Sequence, residues 1–563
     1  MPRVEVPVLV VGAGPVGLVS AILLAQQGVE SRVVERREGA HRAPQAHVIN
    51  QRSLEICRSL GMDIQALRAR AGPPGDHHRV LFMTTLAGEE IGRHRFEADP
   101  PGLPDPTPTP YLNLSQHLFE PILLERLRKE GGADLHYRHQ WEASVADADG
   151  VTSRIRDLAR DAEYEVRSRW LIAADGAGSR VRKSLGIEMQ GPKRIQSFVM
   201  VHIEADLREL VRERPGVLYW IMDPTQPGVF VAHKIDETWV FMHPFDPDRE
   251  SEADYSTERC AAIVRRAIGR EDVPFRVRGF GTWTMTAQVA EAYARGPIFL
   301  AGDAAHRFPP TGGIGMNTGI QDAHNLVWKL RAVRDGWAPA SLLGSYEVER
   351  RPVARENCDQ SLRNALGMLQ VPQVLGIGED PVAARERMRA VLADPAGRGG
   401  VEAAIEAQRE HFNMLNLHLG FAYEAGVVAP DGTPKPAGES PVSDYVPTTR
   451  PGSRLPHVWL ERAGERISTL DLVPYDRFTV VTGPRGAAWI EAAAAISATP
   501  VQAVAVGGEV ADPSGLWAKV CGIGPEGALL VRPDQHVAWR SPGPAADPRG
   551  ALEDVLARIL GRA

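Results

Sequence analysis

The run Val6-Pro7-Val8-Leu9-Val10-Val11-Gly12-Ala13-Gly14-Pro15-Val16-Gly17-Leu18 decides how the chain begins to fold. Val6–Val11 is almost continuously apolar, the pattern of a strand buried on both faces. Gly-x-Gly-x-x-Gly follows. Leu18, Ile22, Leu23 and Ala25 then recur at helical spacing up to Gln27, and Gly28 is a stop. Ser31–Val34 reads as a second strand closed by Glu35. Each part suits a dinucleotide. Gly12 permits the tight turn, Gly14 lets a pyrophosphate approach the backbone, and Gly17 lets helix pack on strand. Pro15 and Val16 open a helix whose free N–H groups and dipole favour an anion. Glu35 can accept both hydrogen bonds of an adenosine ribose.

Two further segments end a strand in an acid beside glycine. They are Leu171–Arg182, with Asp175, and Pro297–Asn317, with Asp303. Both acids fall at the carboxyl edge of a parallel sheet, where ligands bind. Asp303 can hold a ribityl hydroxyl. The turn through Gly313 and Gly315 into the helix of Met316 and Asn317 can stabilise negative charge on a reduced flavin ring. Between Phe198 and Phe245, alternating and aromatic residues predict a distinct antiparallel sheet. Residues 72–110 read as loops plus a hairpin. Strands and helices alternate again beyond a Pro/Gly/Ser-rich connector at 431–456, predicting a separate C-terminal α/β domain.

Composition narrows the function. The chain has 563 residues, 43% apolar and 24% charged, which is globular. A net charge of −7 gives no support for binding nucleic acid or an anionic membrane. Cys57, Cys260, Cys358 and Cys521 are scattered, so there is no C-x-x-C redox pair and no zinc site, and no metal is expected. Sparse cysteine, no spanning apolar run and no signal peptide predict a soluble cytoplasmic protein.

The three glycine-acid motifs, in this order and spacing, resemble those of the single-component FAD-dependent aromatic hydroxylases, the group typified by para-hydroxybenzoate hydroxylase. Ala46–Ile56, Leu342–Pro352 and Asp444–Trp459 are similar to the phenol hydroxylase and 2,4-dichlorophenol 6-monooxygenase branch. The resemblance implies an α/β fold: a Rossmann-like FAD-binding domain, an inserted antiparallel sheet that binds substrate, and a thioredoxin-like C-terminal domain. The expected boundaries are 1–185 (76–110 partly in the substrate domain), 186–280, 281–395 for the second part of the FAD domain, 396–460 for a linker, and 461–563. It implies FAD as cofactor, with NAD(P)H, O₂ and an aromatic small molecule as co-substrates, and a homodimer. Gly12, Gly14, Gly17 and Glu35 match the ADP half of the FAD site, Asp175 the motif shared by FAD and NAD(P)H, and Asp303 the ribityl contact. Met316 and Asn317 match positions at the flavin ring, with Gly313 and Gly315 in the turn that leads to them, and Gln116 matches a glutamine that contacts FAD. Arg36 is a candidate for the adenine side. Gln45 stands where relatives carry a basic residue, and Arg42 is its candidate substitute.

In such a site reduced FAD takes O₂ to a C4a-hydroperoxide, and the protein must hold the ring, remove the phenol proton and exclude water. His47 is the candidate base, since imidazole titrates near neutrality. Asn113 is a polar partner, and the Pro310 carbonyl a candidate acceptor for the substrate hydroxyl. Tyr219, Trp220, Met222, Phe230 and Phe241 are the expected pocket lining, with His233 among its rings. His306 reads as structural. The expected reaction is hydroxylation of a phenol, hydroxylated heteroaromatic or polyketide ring, ortho to the hydroxyl. The alternatives are Baeyer–Villiger insertion or epoxidation on a polyketide, and a non-catalytic flavin-bound ligand carrier. Cys521 stands alone, so the C-terminal domain is expected to be structural.

Overall fold

A computed structural model describes residues 2–97 and 105–562; part of the 72–110 segment thus lies outside the described residues. Strand β1 (Arg3–Val11) is followed by helix α1 (Pro15–Gln26) and strand β2 (Ser31–Glu35). The sheet runs, from one edge, through Ala294–Arg295, Ile298–Leu300, Ala162–Ala173, β1, β2 and Ala133–Tyr137. Along this path all neighbours are parallel except the Ala294–Arg295 edge, and an antiparallel pair, Gly150–Asp157 and His139–Asp147, branches from Ala162–Ala173. Val8, Leu9 and Val10 are fully buried, as helices on both faces of a parallel sheet require. α1 is apolar nearly all round because it is wedged between this sheet and later helices, and it ends at Gly28, in the left-handed region at φ +64°.

The second sheet has seven strands in the order Arg276–Thr284, Ser197–Glu204, Thr238–Phe245, Gly228–Lys234, Leu218–Ile221, Arg79–Met83, Glu90–Arg95. Its last two strands come from the 72–110 segment. One face buries Val201, Tyr219, Phe230 and Phe241 beneath helix α2 (Thr257–Ile268). In α2, Cys260, Ile263, Val264 and Ala267 form a stripe at helical spacing. Ser256 caps its start by accepting from Arg259 N at 3.2 Å, and Gly269 at φ +79° ends it. The other face carries Phe82, Trp220 and Met222. It packs on Val371, Met388, Ile405 and Phe412. These come from short helices within 370–412. The residues expected as second FAD segment and linker therefore divide differently: helices Gln370–Val374, Pro381–Ala393, Pro395–Glu406 and Arg409–Phe412 cover the substrate sheet.

Helices α3 (Ile314–Arg334) and α4 (Ser345–Gly367) close the core beside α1. The C-terminal sheet is ordered Val501–Ala505, Phe478–Thr482, Ala528–Val531, Val537–Ser541. Its first pair is parallel and the others antiparallel. With helices Ala487–Ala495 and Pro548–Ile559, the connectivity is βαβ followed by ββα. It shares one core with the FAD domain, Phe478 packing edge-on against Trp328 and Trp337. All four cysteines are buried, and burial pushes each thiol up. Among the described residues no helix is long and apolar enough to cross a membrane.

Candidate active site

The glycine turn is shaped for a ligand. A Cβ on Gly12, at φ +106°, would lie 2.2 Å from Ala174 O, and one on Gly17 would lie 2.0 Å from Gly12 O. Those two glycines are demanded by the fold. A Cβ on Gly14 would meet nothing within 4 Å, so that glycine faces open space. Gly14 is the N-cap of α1 and Pro15 its first residue, with no side chain capping the free N–H groups from Val16 onward. Glu35 closes the cradle. It accepts from Ala13 N and Arg37 N, each at 2.9 Å, and from Arg37 Nε at 3.1 Å. Burial raises its pKa, but the Arg37 guanidinium and these N–H groups outweigh burial and hold it below the usual carboxylate value. Arg37, not Arg36, returns to the cradle: Arg36 is exposed. Arg37 Nη2 adds a fourth bond at 3.3 Å, so the lone-pair sites of Glu35 are all met and a ribose would take the place of the Arg37 guanidinium.

Just past strand Ile298–Leu300, Asp303 is exposed and accepts no protein hydrogen bond among the described residues. Desolvation there raises its pKa. Asp175 is spent on its own turn, accepting from Ser179 Oγ at 2.5 Å and Arg180 N at 2.8 Å. Gly313, at φ +64°, starts α3 with no side-chain cap, and a Cβ on Gly315 would meet nothing within 4 Å. The free N–H groups of Ile314, Gly315 and Met316 therefore open onto the same space. The Asn317 side chain is buried and fully used. It donates to Val48 O at 2.9 Å and Gly313 O at 2.6 Å and accepts from Asn50 N at 3.0 Å. It ties the start of α3 to strand β3 (Val48–Ile49). The Pro310 carbonyl accepts Gly313 N at 3.0 Å, which uses one of its two lone pairs.

His47 immediately precedes β3, which pairs with Leu112–Asn113. Its Nδ1 is 2.7 Å from Asn113 Oδ1. Asn113 Nδ2 points to Ala232 O at 3.0 Å and His77 Nδ1 at 2.9 Å. A carbonyl can only accept, so the amide nitrogen must face Ala232 and the amide oxygen must face His47. His47 thus carries its proton on Nδ1 and presents a lone pair at Nε2. Burial pushes its pKa down to about 4, with the Asn113 bond opposing. The ring of His233 meets His47 edge-on at 5.1 Å between centroids.

Gln116 Nε2 donates to Glu120 Oε1 at 2.7 Å, and Glu120 Oε2 accepts His41 N at 2.7 Å. Arg42 and Gln45 are exposed on that loop, with Gln45 3.2 Å from His41 Nε2. His306 is buried against Asp322 at 2.8 Å, which Arg350 also binds at 2.9 Å. Tyr219, Phe230 and Phe241 are a correction: they are direct cross-strand neighbours in the core beneath α2, facing away from the FAD domain. Residues on a strand alternate faces, so Trp220 and Met222 lie on the opposite side. The same alternation puts Phe198 and Trp283, stacked at 5.5 Å, on that side. His233 was legible only as a ring in a strand, and Ser115 and His117 gave no local signal.

Comparison with known proteins places the whole chain in a family. Residues 5–361 match the FAD binding domain family, and residues 448–563 match the aromatic-ring hydroxylase C-terminal family. The chain is 35% identical to a 2,4-dichlorophenol 6-monooxygenase of Cupriavidus pinatubonensis, over 99% of this chain and 97% of that protein. It is 36% identical to a tetracenomycin B2 monooxygenase-dioxygenase of Streptomyces olivaceus, covering 100% of both. It superposes on the flavin-dependent monooxygenase PieE, solved in complex with FAD and substrate, with a TM-score of 0.94, 36% identity and 100% of both chains covered.

Proposed function

Because this chain belongs to the FAD-dependent aromatic-ring hydroxylases and is a monooxygenase, we propose that it hydroxylates a phenol-type ring, single or fused, ortho to an existing hydroxyl. The observation that carries the substrate class is His47. A neutral imidazole, locked by Asn113 with Nε2 free, adjoins β3 and the uncapped start of α3.

The residues present fit FAD. The open Gly14, the uncapped N–H groups of α1, the buried Glu35 and the unpaired Asp303 all follow the carboxyl ends of strands in the one parallel sheet. Bound FAD supplies hydride acceptance and oxygen activation. The chain supplies the rest. α1 holds the pyrophosphate, Glu35 the ribose and Asp303 the ribityl chain. The N–H groups at the start of α3 stabilise negative charge on the ring. His47 Nε2 accepts a hydrogen bond from the substrate hydroxyl and orients the ring. The face bearing Trp220, Met222, Phe198 and Trp283 supplies an apolar roof that excludes water.

NAD(P)H has its own support. A cleft of about 380 Å³ beside the Asp175–Arg182 turn is lined by Arg182, Lys183, Lys193 and Arg307, with Glu188 its one acid. It takes two of the seven lysines in the chain. Arg182 and Arg307 donate to the backbone carbonyls of Ala304 and Ala177, and among the described residues neither is in direct ion pairing with a carboxylate, although Asp303 acts on Arg307, and Asp175 and Glu188 on Arg182, from farther away. Burial, and for Arg182 also the nearby Arg307, lowers their pKa values. Such cations in a concave site suit dinucleotide phosphates.

The test is NAD(P)H oxidation by the FAD-loaded enzyme across a panel of phenols, with labelled O₂ and product mass. Phenol-stimulated oxidation with one labelled oxygen on the ring is expected. No stimulation by any phenol would leave a ligand carrier, and an expanded ring or an epoxide would transfer the assignment to those reactions. His47→Ala is expected to lower hydroxylation and raise peroxide release with FAD still bound.

A further inference from the structure

His47 can orient a hydroxyl, but it has nowhere to send a proton. Its Nδ1–H is committed to an amide oxygen, which does not pass protons on. A second proton on Nε2 would leave an imidazolium in a buried site, which burial and His77 both disfavour. A phenol proton removed inside a water-excluded pocket therefore needs another exit.

His233 faces the same space and has one. Strand Gly228–Lys234 pairs regularly with Thr238–Phe245 as far as Ala232, and the register slips between Ala232 and Lys234. His233 sits in that bulge, and bulges re-aim side chains beside active sites. Phe230 and Ala232 point into the core beneath α2. His233 points the other way, to the FAD domain. Its Nδ1 is 2.8 Å from Ser115 Oγ, and Ser115 Oγ is 3.0 Å from His117 Nδ1. His233 and Ser115 are buried, and His117 is half-exposed. A hydroxyl has one proton, so between two ring nitrogens it donates to one and accepts from the other. The trio has two settings, and switching between them moves one proton from end to end.

We propose that His233, Ser115 and His117 carry the substrate's hydroxyl proton out to solvent, with His233 as the acceptor. The substrate hydroxyl, oriented first by His47, turns its O–H to His233 Nε2; the O–H bond breaks and the proton joins that nitrogen, leaving the electron pair on oxygen as a phenolate. The proton on His233 Nδ1 passes to Ser115 Oγ, and the proton of Ser115 passes to His117 Nδ1. His117 Nε2 releases its own proton to water. One proton enters, one leaves, and both rings end neutral with their tautomers exchanged. This matters because His47, His117 and His202 surround His233 and oppose any charge on it. At the outer end, Glu120, Glu237 and His41 face His117, and Arg278 and Glu204 face His202. The two glutamates favour transient protonation of His117 as it delivers to water.

This proposal rests on the phenol hydroxylase assignment, and its test separates the two. Ser115 makes no cap bond to the helix it precedes, so Ser115→Ala removes the linking hydroxyl and little else. FAD-loaded enzyme is reduced, loaded with a phenol and mixed with O₂ at pH 7, and hydroxylated product is followed in a single turnover. Two phenols are compared: one of pKa about 10 and a polyfluorinated one already ionised at pH 7. With the first, Ser115→Ala is expected to slow hydroxylation roughly 10²-fold, and with the second by about twofold at most. Ser115→Thr should restore the rate, and His117→Gln should repeat the alanine pattern. Equal slowing with both phenols, or none with either, overturns the proton exit. Failure of the unmodified enzyme to hydroxylate any phenol overturns the functional assignment instead.

Discussion

Glu349 is the point at which the C-terminal domain is bolted to the FAD domain, and removing its charge should cost more than removing that of its neighbour. Glu349 Oε1 accepts from Arg532 Nη1 at 2.8 Å and Val427 N at 2.7 Å. Oε2 accepts from Arg532 Nη2 at 2.8 Å and from Lys329 Nζ and Asn325 Nδ2, each at 2.7 Å. Glu349, Lys329 and Arg532 side chains are all 0% exposed. Burial alone would raise the pKa of Glu349, but Arg532 and Lys329 overcome it and push it down to about 2. From an ordinary 4.5, that is about 3 kcal/mol of stability, present above pH 4.5 and lost as pH falls toward 2. Lys329 runs the other way. Burial pushes its pKa from 10.5 down to about 8, so its charge costs about 3 kcal/mol below pH 8, relieved as pH rises to 10.5. The pair nearly cancels, and the two single substitutions should therefore differ. Glu349→Gln strands Lys329 and half of Arg532 and should cost about 3–5 kcal/mol. Lys329→Met removes a buried cation while Arg532 keeps its fork on Glu349, and should stay within about 1 kcal/mol of the unmodified protein or exceed it. Urea unfolding followed by tryptophan fluorescence reads both, because the Arg532 guanidinium lies 5.4 Å over the Trp328 ring. Equal damage from both substitutions, or a harmless Glu349→Gln, would refute the reasoning.

The glycine turn gives a paired prediction. Gly12→Ala should fail to fold, because its Cβ would lie 2.2 Å from Ala174 O, whereas Gly14→Ala should fold normally and bind FAD weakly, as read by equilibrium dialysis. Phe241→Ala should destabilise by about 3–5 kcal/mol and leave the substrate KM of the folded enzyme unchanged, since Phe241 is fully buried beneath α2. A KM shift at unchanged stability would reverse the assignment of faces. Lys183→Ala with Lys193→Ala should raise the KM for NADPH about tenfold, the loss of one charge-assisted contact, with kcat little changed. The four thiols should be silent to a thiol reagent at pH 8 in the native protein and all react after denaturation, with Cys57 and Cys358 held up at about 12 by burial.

The dinucleotide fold was legible because its constraints are local and steric. Gly12 and Gly17 must be glycine for reasons contained in the turn itself, and the spacing to Glu35 follows from one strand, one helix and one strand. The faces of the substrate sheet were less accessible, although half the answer was present. Tyr219 and Trp220 are adjacent, so period two forbids both from lining one pocket. What the sequence lacks is which parity faces α2, and that depends on pairing Tyr219, Phe230 and Phe241 across three strands. Arg37 was missed for a similar reason, because the turn after β2 reverses the chain and returns the second arginine to Glu35.

Interfaces were legible least of all. Arg454 binds Glu55 across 399 residues of chain, and Arg532 binds Glu349 across 183. Each of these four is an ordinary charged residue in its own segment. The segments that resemble the phenol hydroxylase branch, Ala46–Ile56, Leu342–Pro352 and Asp444–Trp459, contribute Arg52 and Glu55, Glu349 and Arg350, and Arg454 to this buried seam. Arg52 also donates to Gln535 at 2.8 Å and packs the 532–536 turn onto the helix that follows β3. That helix is capped by Asn50, the residue whose N–H is held by Asn317 at the start of α3. Through these contacts the C-terminal domain bears on the same helix that sets β3, and with it His47, against the start of α3. Weakening the seam should therefore impair coupling of oxygen to substrate before it impairs FAD binding, because the cradle at Gly14 and Glu35 lies on β1, α1 and β2 and touches none of these residues.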